Sequence, residues 1–259
     1  MTSAESRLME SLQLAGRIIM ENGGETYRVE ETITRMGHAF GLEDVESFAV
    51  PSGLFISFRT ASGENETSVL RIRRGSTDLT RVDEVNSISR LVEARQLNCE
   101  EAAEQLRAIR LRSHTLPKPL LMLAAAISSG GFAVMFGGGT IDFALSGAVA
   151  AFVQLLLLFV SRFHVDTFAD TLLGSFLSTL IPLIIHLLTG IGLTDAIIAG
   201  ALMPMLPGLA MTNAVQDAMR GDMISGLSHG MSALLTAGLV AAGALMANFL
   251  CLLVGGGAA

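Results

Sequence analysis

Long uncharged stretches fill the second half of the chain. Charged residues separate five stretches that are each long enough to cross a bilayer once, namely 119–141, 143–161, 171–194, 196–216 and 223–259. A helix needs about 20 apolar residues to span the hydrocarbon core of a membrane. Only Ala247-Asn248 interrupts the last stretch, so we count that stretch as one span. The pattern predicts five transmembrane helices, at about residues 118–138, 142–161, 169–190, 194–210 and 226–254.

The first half of the chain contains shorter apolar segments, with polar residues between them. Apolar residues recur at helical spacing in four segments, at 6–22, 25–40, 82–92 and 102–109. Between the second and third of these, β-rich or alternating segments occupy 45–50, 54–59 and 68–73. This order predicts a small α/β module of four helices and three strands.

Charge divides the chain in the same way as hydropathy. Residues 1–117 hold 32 Lys, Arg, Asp and Glu residues, whereas residues 118–259 hold nine. We therefore predict a cytoplasmic α/β domain over residues 1–116 and a five-span transmembrane domain over residues 117–259. The formal net charge of −7 argues against a nucleic-acid partner, because phosphate binding needs a local excess of Lys and Arg.

The few basic residues of the second half predict an orientation. Arg107, Arg110, Arg112 and Lys118 precede the first predicted span, and the later basic residues, Arg162 and Arg220, fall in loops on the same side. Basic residues accumulate on the cytoplasmic side of membrane proteins. Charged residues interrupt the first twenty positions, which therefore do not resemble the apolar core of a signal peptide. With five spans, the N-terminus is then cytoplasmic and the C-terminus outside.

The densest candidate chemistry lies at residues 203–222. Pro204, Pro207 and Gly208 should break the fourth span near its inner end. After the break, Asn213 and Asp217 are four residues apart and share one face of the next helix. Interrupted helices beside a cavity bind charged substrates in many transporters.

This segment has two further interpretations. Thr212 or Asn213 could cap the helix that follows the break, which would aim free N–H groups at an anion. Alternatively, the segment is a helix–turn–helix corner at the cytoplasmic surface, with Asp217 and Asp222 in water. Local physics leaves these alternatives open.

Histidines in or near the spans are the next candidates. His186 lies in the third span, one turn after Pro182. An ionisable side chain at membrane depth suggests function, although a neutral histidine could also bond the carbonyl that Pro182 leaves free. His229 lies within Gly226-x-x-x-Gly230, at the start of the last span. Arg162, His164, Asp166 and Asp170 cluster in an inner loop, where a cytoplasmic gate is more plausible than a metal site.

Enzymatic chemistry has little support. Ser52, with His38 and Asp78 elsewhere, is the candidate nucleophile, but a serine in Pro51-Ser52-Gly53 is usually a turn former. The chain has no GxxxxGK[ST] phosphate loop, and its two cysteines are far apart. We predict no enzyme activity, no cofactor and no metal site.

Two motifs resemble one family. The run from Gly24 to Glu30, GETYRVE, resembles the G-A-E-T-x-R-V-E signature of the threonine/serine exporter family, and Pro51-Ser52-Gly53 resembles its P-T-G turn. The family's membrane motif is matched by Pro207-Gly208, Asn213-Ala214, Asp217, Gly221-Asp222 and Ser225-Gly226. The similarity covers nearly the whole chain.

The resemblance implies secondary transport, usually outward, of small polar metabolites through the bacterial inner membrane. Full-length members have ten spans, so the chain resembles the larger member of a split pair whose smaller, five-span partner supplies the rest. Split pairs are linked to C4 dicarboxylates such as succinate, and fused members to threonine and serine. A membrane metabolite sensor with a cytoplasmic regulatory domain is the alternative.

The resemblance also implies site residues. The expected transport motif contains Pro207, Gly208, Asn213, Asp217, Gly221 and Asp222. The expected N-terminal motif contains Glu25, Arg28 and Glu30, for which a contact between domains is as plausible as substrate binding. Members often have a basic residue near the start of the last span, where this chain has His229.

Overall fold

Contacts divide the chain into two compact units. The computed structural model describes residues 3–60, 63–73, 77–112, 117–160 and 167–254. The first unit joins Met1–His114 to Ala210–Gly230, and the second joins Thr115–Leu209 to Met231–Ala259. The predicted domain boundary at residues 116 and 117 adjoins residues outside the described part, and it stays a prediction.

The first unit begins with an α/β module. Its elements in chain order are α1 (Ser3–Glu21), α2 (Thr26–Ala39), β1 (Glu43–Val50), β2 (Gly53–Arg59), β3 (Asn65–Arg71), α3 (Leu79–Glu93) and α4 (Cys99–Leu111). The four helices and three strands are those that the sequence pattern predicts. β3 begins at Asn65, three residues before the predicted strand, so the polar turn before it is shorter than expected.

The sheet is an antiparallel meander in the order β1-β2-β3. Val50 pairs with Gly53, so Pro51 and Ser52 form the two-residue turn between the first strands. Side chains alternate along β2: Leu54, Ile56 and Phe58 are fully buried, as expected for a strand with one face on a core. The helices pack on that face through the buried side of α1 and α2.

Helix ends in the module use ordinary capping chemistry. The Asp78 carboxylate accepts hydrogen bonds from the backbone N–H groups of Thr80 and Arg81 at the start of α3. Asn98 and Glu101 form a reciprocal capping box at the start of α4. Asp78, one of the groups considered for catalysis, therefore serves as a helix cap.

The first unit also includes parts of two later helices, α9 (Gly208–Met219) and α10 (Met223–Val254). Gly221 makes the turn between them at a φ of +95°, a conformation that glycine adopts easily. The helices approach closely, because a Cβ atom on Gly226 would lie 2.9 Å from the carbonyl oxygen of Ala214. The glycine at this position therefore sets the distance between the two helices.

The second unit is made of apolar helices. They are α5 (Lys118–Met135), α6 (Thr140–Val160), α7 (Thr167–Thr189), α8 (Thr194–Leu202) and the remainder of α10. Small residues let α5 and α6 approach closely: the Ser129 and Ser146 hydroxyls lie 2.7 Å apart, and a Cβ atom on Gly147 would lie 2.8 Å from the Ala126 carbonyl oxygen. This packing is typical of membrane helices.

In the described residues, four helices are long and apolar enough to cross a membrane: α5, α6, α7 and α10. The predicted fourth span is interrupted. α8 is followed by a short 3-10 turn over Met203–Met205, and α9 starts at Gly208. These pieces reach spanning length only when they are counted together, which would make a fifth span. The break therefore lies at the two prolines, as predicted.

The predicted cap of the following helix is wrong. Because α9 already begins at Gly208, directly after Pro207, both Thr212 and Asn213 lie inside the helix. Pro207 directly precedes the first helical residue, where its missing N–H group breaks no hydrogen bond within the helix. The helix therefore begins four residues earlier than the candidate caps.

Candidate functional site

Asp217 is the centre of a buried polar cluster in the first unit. The residue is fully buried near the C-terminal end of α9. Its Oδ1 atom accepts a hydrogen bond of 2.9 Å from the Thr26 hydroxyl at the start of α2. Its Oδ2 atom lies 2.9 Å from Nδ1 of His229 on α10. The reading of Asp217 as a wet surface residue is therefore wrong.

His229 is the group that can balance the charge of Asp217. A buried carboxylate is costly unless it is paired and hydrogen-bonded. The contact with the carboxylate places the Nδ1 proton of His229 toward Asp217, which leaves Nε2 as the second functional nitrogen. The imidazole is 20% exposed, so it is less enclosed than its partner. The pair thus combines a fixed negative charge with a titratable group.

Two further hydrogen bonds connect the same helices to the α/β module. Asn213, one turn before Asp217, donates from Nδ2 to the Gly23 carbonyl oxygen at 3.4 Å. Ser225 donates to the Ala49 carbonyl oxygen at 3.3 Å. Asn213 is 6% exposed and Ser225 is 2% exposed, so both contacts are shielded from water. The polar face of α9 that the sequence predicts thus packs within the first unit.

A cation–π contact lies at the turn after α9. The guanidinium carbon of Arg220 is 3.5 Å from the centroid of the Tyr27 ring, and that of Arg28 is 5.8 Å from the same centroid. Such contacts stabilise by about 0.5–1 kcal/mol at exposed sites. The GETYRVE motif and the membrane motif therefore meet at both Thr26 and Tyr27.

Glu25 and Arg28 form a local ion pair on α2. The Nε atom of Arg28 lies 2.7 Å from Oε2 of Glu25. Burial by itself would raise the pKa of Glu25, but the hydrogen bond from Arg28 and the charges of Arg28 and Arg220 lower it overall. The motif's first two charges therefore neutralise each other.

Glu30 lies in a more negative environment. Its Oε1 atom accepts a hydrogen bond of 2.8 Å from the Ala49 backbone N–H. Burial raises the pKa of Glu30, and the negative charges of Asp222 and Asp217 raise it further, against the effect of the hydrogen bond. Glu30 and Asp222, both half-buried, thus belong to the electrostatic surroundings of Asp217.

A cavity of about 190 Å³ adjoins this cluster. Thr26, Asn213 and His229 contribute polar side chains to its wall. Glu21 from the end of α1 adds a carboxylate to the same wall, and the rest comes from the chain around Gly23 and Pro51. The cavity is thus lined by both motifs that the sequence singles out.

Comparison with known proteins identifies the family. The family model described as "Putative threonine/serine exporter" matches residues 11–251. The chain belongs to the threonine/serine exporter family. With its apolar helices, this membership makes it an integral membrane protein. No solved structure matches the chain.

Relatives in the threonine/serine exporter family differ in length. A protein named "Probable threonine/serine exporter" from Mycobacterium tuberculosis is 24% identical over 225 residues, which are 86% of this chain and 42% of that protein. The proteins named "Probable succinate transporter subunit YjjP" are 27% identical in Klebsiella aerogenes, where the match covers 82% of this chain and 81% of the relative. The Escherichia coli protein of that name is 25% identical, with 83% of each chain covered. The chain thus spans less than half of the first relative and about four fifths of the subunits.

Three other members of the predicted site belong to the second unit. Pro207 and Gly208 belong to the second unit, at the helix break. His186 is exposed in the last turn of α7, also in the second unit. Their roles, like those of Asn213, Asp217 and Asp222, stay predictions. Of the inner-loop cluster, Arg162, His164 and Asp166 lie outside the described residues.

The groups considered for other chemistry are dispersed. Ser52 is exposed in the turn between β1 and β2, and His38 is exposed near the end of α2. Within the ranges that the structure describes, no group of three His, Cys, Asp or Glu side chains could hold a metal ion. Among the predicted residues that the structure describes, several polar side chains are brought together in the Asp217 cluster.

Sequence reasoning missed several members of this cluster. Thr26 and Tyr27 stand inside the GETYRVE motif, of which only the charged positions were predicted as site residues, and Ser225 stands inside the membrane motif but was not predicted as a site residue. Arg220 was read as a topology signal. The occurrence of two separate motifs in one chain was the available signal, because residues from two motifs often meet at one site.

Proposed function

We propose that the chain is the larger subunit of a secondary exporter of small polar metabolites in the bacterial inner membrane. Membership of the threonine/serine exporter family supports export. The names of the relatives support two solute classes, threonine- or serine-like amino acids and C4 dicarboxylates such as succinate. In this proposal an ion gradient drives the transport, and the transport needs no cofactor.

The proposed partner is a small five-span membrane subunit of the same family. The chain matches proteins named as transporter subunits over 81–83% of their length, but it matches the M. tuberculosis exporter over only 42%. This difference favours a two-component transporter over a single-chain one. The working unit is then a hetero-oligomer of ten spans.

The proposed topology has five spans, with the N-terminus cytoplasmic and the C-terminus outside. It counts α8 and α9 as one interrupted span beside the four continuous candidates. The basic residues before α5 and Arg220 after α9 then lie on the cytoplasmic side. In this arrangement the α/β module is cytoplasmic, and the end of α9 that carries Asp217 lies at the cytoplasmic end of the interrupted span.

One observation carries the transport proposal: a fully buried carboxylate, Asp217, follows a proline-interrupted membrane helix and is paired with a titratable histidine. Ionisable residues within membrane segments are rare and mark solute or ion pathways. A discontinuous helix is a common way for a transporter to place such a group beside a solute. We propose that Asp217 and Asn213 bind or couple the solute, and that Pro207, Gly208 and Asp222 shape the segment that carries them.

The direct test is transport by the reconstituted pair. Vesicles containing the chain and its five-span partner, loaded with unlabelled solute, should accumulate labelled serine or labelled succinate by counterflow. Vesicles with either subunit alone should not. Absence of counterflow with both solutes would contradict the exporter.

A membrane sensor is the second candidate. The cavity in the first unit favours it, because a regulatory domain also needs a binding site for its metabolite. A sensor would bind the solute without moving it across the membrane. Binding and counterflow measured on the same preparation therefore separate the two functions.

A further inference from the structure

We propose that the 190 Å³ cavity is the cytoplasmic solute site, and that His229 holds a carboxylate group of the solute there. The inference rests on the proposed export function and adds the place and the chemistry of binding. The cavity volume corresponds to about six water molecules, at ~30 Å³ each. Pockets for drug-sized ligands are larger, at about 300–1,000 Å³. The space therefore suits a metabolite of a few carbon atoms.

The pairing of His229 determines what it can offer to a solute. Nδ1 faces the buried carboxylate of Asp217, so this ring nitrogen is occupied. A carboxylate behind an imidazole fixes the orientation of the ring. The proposal assigns the imidazolium form to His229 in the solute-bound site, because only in that form does Nε2 carry a second N–H group. A charge-assisted hydrogen bond from this nitrogen to a solute carboxylate is the strongest polar contact that the wall provides.

Asn213 and Thr26 complete the polar wall with different abilities. Asn213 uses one N–H of its amide for the Gly23 carbonyl, and an amide has two such donors. It can therefore donate a second hydrogen bond to the same carboxylate. The Thr26 hydroxyl already donates to Asp217, so its oxygen can only accept from a solute. The wall thus contains donors for a carboxylate beside an acceptor for an N–H or O–H group.

Glu21 determines which second group the solute can carry. Glu21 also lines the cavity, and its Oε1 atom lies 3.9 Å from Nε of Arg17. The Asp217–His229 pair is neutral as a whole when the histidine is protonated. Arg17 does not line the cavity and offsets the charge of Glu21 only in part, so Glu21 attracts an ammonium group and opposes a second carboxylate. A carboxylate is the shared requirement, and the charge at Glu21 distinguishes serine from succinate.

The test measures binding by the full-length chain in lipid nanodiscs, with serine and succinate as separate probes. His229→Gln keeps a polar side chain but removes the positive charge, so we expect affinity to fall about 10- to 100-fold, the loss of a hydrogen bond to a charged group. His38→Gln is the control, because His38 is exposed and does not line this cavity. Equal affinity of His229→Gln and wild type would overturn the proposal.

A second variant tests the cavity independently of whether His229→Gln folds. Thr77 lines the cavity but is itself exposed, so Thr77→Phe should fill the space from outside without removing any contact of Asp217. We expect this variant to lose solute binding while its melting temperature stays near that of wild type. Retained binding in Thr77→Phe would place the solute elsewhere and contradict the cavity.

Glu21→Gln distinguishes the two solute classes. If the bound solute carries an ammonium group, this variant should bind serine more weakly, and if it is a dicarboxylate, the variant should bind succinate more tightly. Unchanged affinity for both probes would contradict the cavity. Failure of the site and failure of the exporter remain distinct: counterflow with unaltered binding in all three variants rejects only the cavity, and binding without counterflow rejects only transport.

Discussion

At the scale of single residues, the question is whether the buried charge of Asp217 serves the structure or the function of the protein. Its two oxygen atoms already have partners, Thr26 and His229, so structure alone explains how the carboxylate is tolerated. A purely structural buried pair is rarely the best choice for stability, because apolar residues often serve equally well. Stability alone therefore gives no reason for the pair, and the proposed coupling role of Asp217 is tested by its removal.

We expect Asp217→Asn to reduce counterflow at least tenfold while membrane insertion stays normal. The amide oxygen can still accept from Thr26, but the variant lacks the negative charge that holds the imidazolium of His229. Asp195→Asn is the matched control, because Asp195 is exposed at the start of α8. Flux at the wild-type level in the Asp217 variant would remove the coupling role.

The Thr26 contact can be tested through stability. Thr26→Val retains the shape of the side chain but leaves Asp217 without one donor, which should destabilise the first unit by about 1.5–3 kcal/mol. Thr34→Val on the same helix is half-exposed and should change stability little. Denaturant unfolding of the full chain, followed by a probe in the first unit, measures both. Equal stability of the two variants would argue against the hydrogen bond.

Glu30 gives a dependence of stability on pH. Burial raises its pKa in the folded chain above the unfolded value of about 4.3, so the folded state binds its proton more tightly. Its contribution to the free energy of unfolding is then greatest below pH ~4.3 and is lost as the pH rises through the folded pKa. Glu30→Gln keeps an acceptor for the Ala49 N–H and should flatten this decline.

The measurement is the melting temperature of wild type and Glu30→Gln between pH 4 and pH 7. We expect the variant to be the more stable protein at pH 7, since it removes a partly buried charge near Asp217 and Asp222. Glu31→Gln is the control, because Glu31 is exposed one position away. Parallel pH profiles for wild type and Glu30→Gln would contradict the raised pKa.

The sequence predicts local relations between residues but not distant ones. Asn213 and Asp217 share a helix face because they are four residues apart, and Glu25 pairs with Arg28 three residues away. The partner of Asp217 on α2 is 191 residues distant along the chain. No periodic pattern encodes that contact, because it depends on how the elements of the first unit pack.

At the scale of elements, periodicity and composition were sufficient for most of the fold. The amphipathic repeats predict α1 to α4, and the alternation of Leu54, Ile56 and Phe58 predicts β2. The two prolines predict the break before α9. The predicted helix cap at Thr212 or Asn213 is wrong. The prediction used the capping preference of these residues and neglected Pro207, which directly precedes the first residue of α9.

Two adjacent glycines on α5 test the packing of the membrane helices. A Cβ atom on Gly130 would lie 2.8 Å from the Phe143 carbonyl oxygen on α6, whereas one on Gly131 would meet none of the described atoms within 4 Å. We expect Gly130→Ala to destabilise the chain by about 1–3 kcal/mol through overpacking. Gly131→Ala should be neutral or slightly stabilising, because alanine favours helix.

The readout is the melting temperature of the detergent-solubilised chain, with helix content checked for each variant. The two substitutions are chemically identical and adjacent, so a difference between them reports the α5–α6 contact alone. If both variants melt at one temperature, α5 and α6 do not pack as closely as the structure indicates.

At the scale of the whole molecule, α10 is one continuous helix that begins in the first unit and ends in the second. Met223–Val254 would extend about 48 Å at ~1.5 Å per residue, whereas the hydrocarbon core is about 30 Å thick. Residues 231–254 would span about 36 Å and are sufficient to cross it. The first turns, Met223–Gly230, need not lie in lipid, which fits their membership of the first unit and their polar residues Ser225 and His229.

The proposed topology places the α3–α4 turn in the cytoplasm and the α7–α8 connection outside. Gln96 and Thr189 are exposed in these two places. In a background with Cys99→Ser and Cys251→Ser, we expect a membrane-impermeant maleimide to label Thr189→Cys in intact cells. It should label Gln96→Cys only after permeabilisation. Native Cys99 is unsuitable as the inner probe, because burial raises its pKa and slows thiolate chemistry.

The same pair of cysteines also tests the span count. α5, α6 and α7 separate Gln96 from Thr189, so an odd number of crossings puts them on opposite sides. A second probe, Met219→Cys, lies at the exposed end of α9 and should behave like Gln96→Cys if α8 and α9 together form one span. If the interrupted pair instead re-enters and leaves on the same side, Met219→Cys labels from outside. That outcome would leave four spans and overturn the proposed placement of the Asp217 cluster at the cytoplasmic end of the interrupted span.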